Sequence, residues 1–324
     1  MAFFDLSLED LKKFKPDIKE PEDFDLFWKK TIEASEAEKP SSIKLHPYEI
    51  DFPLIEAFDA EFPGFMGHPI KGWLLLPKNT KGPFPLMVEY IGYGGGRGLP
   101  TDWLGWVISG YAYFIMDTRG QGTTWRTGDT ADKGDYHCGP ELPGFMTRGI
   151  QHQDNYYYRR LICDAYRAID AVKSLDMVDK SRIAITGGSQ GGALTLSVAG
   201  LRNDIAAAMA DVPFLCFFER AITLVDSHPY NEIARYLQRH RHKEKQILGV
   251  LNYFDGCHFA KRAKARALFS TALMDTICPP STVYAAYNHY KGNKDIIVYP
   301  FNNHEGGESY QHIEKLKFLN KLFK

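Results

Sequence analysis

Residues 182–196 read Arg-Ile-Ala-Ile-Thr-Gly-Gly-Ser-Gln-Gly-Gly-Ala-Leu-Thr-Leu, and they decide the fold. Arg182 to Thr186 predicts a strand, Gln190 to Leu201 predicts a helix, and a Gly-x-Ser-x-Gly turn between them carries Ser189. A serine on so sharp a turn needs small neighbours, which Gly187, Gly188, Gly191 and Gly192 supply. Its Oγ then stands exposed above the sheet. The helix that follows directs its free N–H groups and positive dipole end toward the same point, where an oxyanion would form. The competing reading is a tight glycine-rich turn whose serine is inert.

Other short, nearly unbroken apolar runs lie around this segment: Pro85 to Ile91, Tyr111 to Met116, Ile205 to Val212, Ala267 to Leu273 and Ile296 to Tyr299. Strands buried on both faces have this composition. Helices are predicted at Tyr158 to Leu175, Pro280 to Tyr290 and Ser309 to Phe323. Strands alternating with helices make an α/β fold, a mostly parallel sheet with helices on both faces. Ahead of it, Tyr48 to Phe62 and His68 to Leu76 read as an antiparallel pair at a sheet edge. Phe24, Phe27, Trp28 and Ile32 mark a leader helix within Pro21 to Lys39. Two segments stand outside the alternation. Gly120 to Gln153 reads as a long loop, and residues 214–265 read as a helical insertion or lid. No repeat or flexible linker divides the chain, so residues 1–324 are expected to form a single domain.

The composition narrows the function classes. With 39 Lys+Arg against 40 Asp+Glu, the 324-residue chain has a formal charge of -1, so no basic field exists to hold nucleic acid or an anionic membrane. Hydrophobic residues at 44% and charged residues at 24% exclude a disordered or collagen-like chain. No apolar run approaches the roughly 18 residues of a membrane span. Five cysteines, Cys138, Cys163, Cys216, Cys257 and Cys278, form no Cys-x-x-Cys pair, which points away from zinc ribbons and toward reduced thiols. The first ten residues lack the pattern of a signal peptide, and the expected location is the cytoplasm.

A serine hydroxyl is a weak nucleophile and needs a histidine base oriented by an acid, which in this type of fold follow in the order Ser, Asp or Glu, His. Asp275 lies just past a predicted strand end and is the first choice of acid, ahead of Asp211 and Asp295. Asp204, Asp226 and Asp255 read as solvated acids. For the base, His289 and His312 fall on predicted helices. His304 falls on a loop at the carboxyl edge of the sheet, where such folds gather ligands. A second oxyanion donor is expected from Tyr90-Ile-Gly-Tyr-Gly-Gly-Gly-Arg-Gly, residues 90–98. The rival idea of a dinucleotide loop fails there because Arg97 stands at the last glycine position. Cys278, three residues after Asp275, reads either as a buried inert thiol or as a group that modulates the site.

Six segments together resemble one family: residues 90–98, Met-Asp-Thr-Arg-Gly-Gln-Gly (116–122), Gly-Gly-Ser-Gln-Gly-Gly (187–192), Asp-Val-Pro-Phe-Leu (211–215), Leu-Met-Asp-Thr-Ile-Cys-Pro-Pro-Ser-Thr-Val (273–283) and Asn-His-Glu-Gly-Gly (303–307). They are similar to the acetyl xylan esterase / cephalosporin-C deacetylase family, carbohydrate esterase family 7, of the α/β-hydrolase fold. The likeness extends to the Asp-Phe-Asp-x-Phe-Trp start of the leader helix at Asp23. It implies a serine esterase that deacetylates small substrates such as acetylated xylo-oligosaccharides and cephalosporin C, without metal or cofactor. It also implies a Ser189, Asp275, His304 triad, with oxyanion donors in the backbone N–H groups of Tyr93 and Gln190. A homohexamer is implied as well, with Gly120 to Gln153 as a possible subunit contact whose variable part includes residues 123–127 and His137-Cys138. Two other enzyme readings share the Gly-x-Ser-x-Gly turn, a peptidase of the prolyl-oligopeptidase type and a general short-chain carboxylesterase. A catalytically silent scaffold would require a broken triad.

Overall fold

The computed structural model describes residues 3–133 and 139–323, so His137 and Cys138 lie outside the described residues. Nine strands form one sheet: β1 (Lys44–Tyr48), β2 (Ile55–Pro63), β3 (Pro69–Pro77), β4 (Phe84–Tyr90), β5 (Ala112–Met116), β6 (Val178–Gly188), β7 (Ala207–Asp211), β8 (Arg266–Ala272) and β9 (Lys294–Tyr299). Their order is β1-β2-β3-β5-β4-β6-β7-β8-β9. The pairs from β1 through β3 to β5 are antiparallel, and every pair from β5 through β4 to β9 is parallel. The carboxyl ends of β4, β6, β7, β8 and β9 therefore share one rim.

Most element boundaries shift by one or two residues from the sequence expectation, and three differences are larger. The single strand predicted over Tyr48 to Phe62 is two, with β1 ending at Tyr48 and β2 beginning at Ile55, so the antiparallel part has three strands rather than a pair. Proline at 53 inside Glu49 to Leu54 breaks the ladder there. Strand β6 starts four residues before Arg182, because polar Asp179, Lys180 and Ser181 sit at its solvent-facing end and carry no apolar signal. A further short helix, α1 (Leu8–Lys13), is capped by the Ser7 side chain, which accepts the Asp10 N–H.

The leader helix α2 (Phe24–Glu38) buries Phe24, Phe27, Trp28, Thr31 and Ser35, while Ile32 is only half-buried. The small hydroxyl residues face α3 (Tyr157–Lys173): Thr31 Oγ1 accepts from Arg159 Nε at 3.0 Å, and the Cys163 thiol lies 3.4 Å from Ser35 Oγ. These contacts turn Thr31 and Ser35, rather than Ile32, toward α3, against the apolar periodicity which pointed to Ile32. The Trp28 ring packs edge-on against Phe254 and Phe259, which ties the leader to the insertion. That insertion holds α5 (Phe218–Leu224), α6 (Tyr230–Arg239), α7 (Glu244–Leu251) and α8 (Gly256–Ala260). Asp255, expected to be solvated, is fully buried: its carboxylate accepts the N–H groups of Phe217, Phe218 and Cys257 and so caps α8.

Helix α4 (Gln190–Leu201) is apolar nearly all round and is sunk in the main core beside α3 and α8. On the opposite face of the sheet a second core gathers Trp73, Trp103, Trp106, Tyr113 and Leu319 beneath α10 (Glu308–Leu322). Helix α9 (Pro280–His289) completes the fold. Among the described residues no helix is long and apolar enough to cross a membrane.

Candidate active site

Ser189 sits between β6 and α4 with φ 55° and ψ -117°, a backbone conformation that a residue with a Cβ rarely adopts. The surroundings enforce it. A Cβ at Gly191 would lie 2.0 Å from the Tyr90 carbonyl oxygen, and one at Gly187 would lie 2.5 Å from the Gly191 backbone. Only glycine lets β4, the turn and α4 come this close. Gly188 differs from the expectation: nothing lies within 4 Å of where its Cβ would be, and the residue lines the cavity in front of Ser189.

The sequence-selected acid and base meet. Asp275, fully buried beyond the end of β8, accepts the N–H groups of Ile277 (2.8 Å) and Cys278 (2.9 Å) on Oδ1. Its Oδ2 lies 2.9 Å from Nδ1 of His304. A carboxylate accepting from Nδ1–H leaves Nε2 as the nitrogen able to take a proton. The two loops are tied by Thr276 N–H on Asn303 Oδ1 (3.1 Å) and Met274 N–H on the Asn302 carbonyl (3.2 Å). Ser189 and His304 line one cavity of about 780 Å³ at the carboxyl rim. Cys278, three residues after Asp275, is buried, and burial pushes its pKa well above the usual thiol range.

The other candidates stand elsewhere. Asp295 is near the start of β9, paired with Arg266 at the opposite rim. His289 bonds the Ala285 carbonyl on α9, and His312 packs against Trp106 on α10. Asp211 lies close to the nucleophile, but its carboxylate is taken by Ser270, Gln311 and Lys315.

The two residues expected to donate to an oxyanion, Tyr93 and Gln190, lie just after β4 and at the start of α4. Gln190 is the first residue of α4, so its N–H has no carbonyl four residues back within the helix. Tyr93 follows β4, and its carbonyl accepts the Trp125 indole N–H at 2.9 Å. The Tyr93 hydroxyl donates to Glu232 Oε1 (2.8 Å) and accepts from the N–H groups of Phe145 (2.9 Å) and Gly144 (3.2 Å). Behind them, buried Gln121 accepts the Gly94 N–H (2.6 Å) and donates to Gln190 Oε1 (2.9 Å). Gln190 Nε2 in turn donates to the Ile91 carbonyl (3.1 Å).

Several wall residues escaped sequence reasoning. The long loop supplies Trp125, Arg126 and Pro143 to the cavity, and the insertion supplies His228 and Pro229. Glu232, also from the insertion, bonds both Tyr93 and the Met146 N–H. Nothing local in sequence marks these residues, because each acts across a separation of tens to more than a hundred positions.

A strained serine between strand and helix, followed in chain order by an acid and a histidine on neighbouring strand ends of a mostly parallel sheet, defines an α/β-hydrolase fold. The comparisons with known proteins carry this further. The chain belongs to the acetyl xylan esterase family, whose model matches residues 1–322. It is 38% identical to an acetyl xylan esterase from Paenibacillus sp. R4, with 98% of this chain and 100% of that chain covered and a TM-score of 0.88. A second solved relative, acetyl xylan esterase 1 from Thermoanaerobacterium sp. JW/SL YS485, is 31% identical over 99% of this chain and 100% of its own, with a TM-score of 0.87. The acetyl esterase Axe7A of Xylanibacter ruminicola is 29% identical over 301 residues; the match covers 90% of this chain and 65% of that protein's length.

Proposed function

We propose that this protein is a serine esterase that removes acetyl groups from small acetylated substrates, acetylated xylo-oligosaccharides and cephalosporin C among them. The observation that carries the reading is His304 Nδ1 held at 2.9 Å by buried Asp275, in the cavity that Ser189 faces from its strained turn. In the first step Ser189 Oγ attacks the acetyl carbonyl carbon and its proton passes to His304 Nε2. Asp275 stabilises the resulting imidazolium. The N–H groups of Tyr93 and Gln190 hold the developing oxyanion. The alcohol departs with the proton from His304, and a water molecule activated by the same imidazole then releases acetate from Ser189.

A cavity of about 780 Å³ suits a molecule of a few sugar rings rather than a polymer. A homo-oligomer, a hexamer, is proposed on the family resemblance. The unpaired thiols of Cys163, Cys216, Cys257 and Cys278 fit a reducing, cytoplasmic location. Sedimentation velocity tests the oligomer, and cell fractionation tests the location.

The deciding experiment compares initial rates on p-nitrophenyl acetate, butyrate and octanoate with those on cephalosporin C and acetylated xylobiose, using Ser189→Ala as the blank. A steep fall beyond acetate, with both natural acetates turned over, is expected. Preference for the longer acyl chains would replace the reading with a general carboxylesterase.

A further inference from the structure

Asp211 is an acidic residue beside Ser189 that the proposed triad does not use. It ends β7, between the strand that carries Ser189 and the strand that precedes Asp275. Its main-chain carbonyl accepts the Ser189 N–H at 2.9 Å. Asp211 borders the cavity that Ser189 and His304 line, and its carboxylate is occupied: Oδ1 accepts Gln311 Nε2 (2.7 Å) and Ser270 Oγ (3.1 Å), and Oδ2 accepts Lys315 Nζ (2.7 Å).

Both ends of the segment that carries the base run to this one side chain. Tyr299 closes β9 just before that segment, and its hydroxyl donates to Gln311 Oε1 at 2.8 Å. Gln311 and Lys315 lie on α10, which begins four residues after His304. The segment also closes on itself, since a Cβ at Gly307 would lie 2.2 Å from the Tyr299 ring. Gln311 is 2% exposed and Lys315 is 7% exposed, so the bonds are shielded from water. The other charged or titratable groups facing Lys315 and Asp211 are Glu89, which is hydrogen-bonded by Tyr113, and His312. A buried ion pair is weak evidence for stability in itself, and its best-attested use is to fix one arrangement over others.

We propose that Asp211 is a positioning residue: with Tyr299, Gln311 and Lys315 it locks the His304 segment in register with the Ser189 turn. The inference rests on the serine-esterase reading above. Its main chain fixes the nucleophile and its side chain fixes both flanks of the base, so losing the side-chain bonds lets the two drift apart while Asp275 still holds the imidazole.

The test uses the full chain with Tyr299→Phe, Gln311→Leu and Lys315→Met. Three quantities are read well below the unfolding midpoint: kcat and KM on p-nitrophenyl acetate, the second-order rate at which paraoxon phosphorylates Ser189, and the thermal midpoint itself. Displacements of about 1 Å at reacting groups cost up to roughly 100-fold in rate. A fall in kcat of about tenfold or more is expected for Gln311→Leu and Lys315→Met, and about threefold for Tyr299→Phe. KM should stay within about twofold, and phosphorylation should slow in parallel with kcat. Folded variants that keep the wild-type kcat and phosphorylation rate, even with a lowered midpoint, overturn the proposal and leave a structural role only. If Lys315→Met fails to fold, the milder Tyr299→Phe and Gln311→Leu decide by the same criterion. A wild-type chain that neither hydrolyses the ester nor reacts at Ser189 removes the esterase reading and the positioning role with it, whereas an active wild type with undisturbed variants removes the positioning role alone.

Discussion

Gln121 Nε2 donates to Gln190 Oε1 at 2.9 Å, while Gln121 Oε1 accepts the N–H of Gly94, the neighbour of Tyr93, at 2.6 Å. One fully buried side chain thus joins the two backbone segments that would hold the oxyanion. The spacing between such donors must match the charge that develops at the reacting carbon, so a residue that sets this spacing acts on the rate although it touches no substrate.

Replacing Gln121 by alanine cuts the link from both sides and leaves the Gly94 N–H without its acceptor, while the Gln190 amide keeps only Tyr158 and Ile91. The expected result is a kcat on p-nitrophenyl acetate lower by about 10- to 100-fold, with KM little changed and a loss of about 1–3 kcal/mol in stability. Steady-state kinetics with urea unfolding checks both. Unaltered kcat would show that the donors hold their places without the clamp.

In the proposed mechanism Asp275, whose Oδ2 lies 2.9 Å from His304 Nδ1, orients the imidazole and does not itself exchange protons with substrate. Asp275→Asn should therefore lower kcat by about 10³- to 10⁴-fold while leaving the fold cooperative, because the amide favours the wrong imidazole tautomer. Steady-state kinetics on p-nitrophenyl acetate, with urea unfolding of both chains, checks this; an unaltered kcat would remove Asp275 from the mechanism.

Acid should weaken the long loop through Asp132. Burial pushes this carboxyl upward, but the hydrogen bonds and charges of Arg160 and then Arg119 outweigh burial and hold it down at about 2. A lowered folded-state pKa contributes stability that is present above the ordinary carboxylate range and is lost as pH falls through about 2. Asp132→Asn should cost on the order of 2 kcal/mol at pH 7, and its difference from wild type should shrink between about pH 4 and pH 2. Urea unfolding of both chains across that range measures it; a pH-independent difference would contradict the assignment.

Cys278 should be chemically silent in the native protein. Burial drives its pKa well above the ordinary thiol range, the negative charge of Asp275 adds to this, and its surface is fully covered. Peptide mapping after iodoacetamide at pH 8 should find Cys278 labelled only when the chain is denatured first. Labelling of the native chain would mean that the thiol is reached from the cavity.

The residues legible in advance share a local signature. Ser189 is framed by glycines inside ten residues of strand, turn and helix, and Asp275 and His304 each follow the end of an apolar run. Helix α4 was read with both boundaries right because Gln190 follows the glycine turn and Leu201 closes a segment of mostly apolar and small residues. Residues that failed the reading did so for a physical reason. Ile32 lost the helix face to Thr31 and Ser35, whose hydroxyls meet Arg159 and Cys163 on α3, and Asp255 was read as solvated because a capping carboxylate looks like any other in sequence.

Amino-acid order alone determined the strand and helix alternation, the strained serine turn and the chain order of Ser189, Asp275 and His304, since each depends on neighbours within one turn or strand. Tertiary structure alone decided what surrounds them. Trp125 and Pro143 from the long loop and His228 and Pro229 from the insertion become cavity walls, Gln121 bridges Gly94 and Gln190, and the Asp211 carboxylate pairs with Lys315 on α10. These roles arise where buried polar atoms from distant segments must find partners once water is excluded, and that pairing is settled only when the sheet has brought them together.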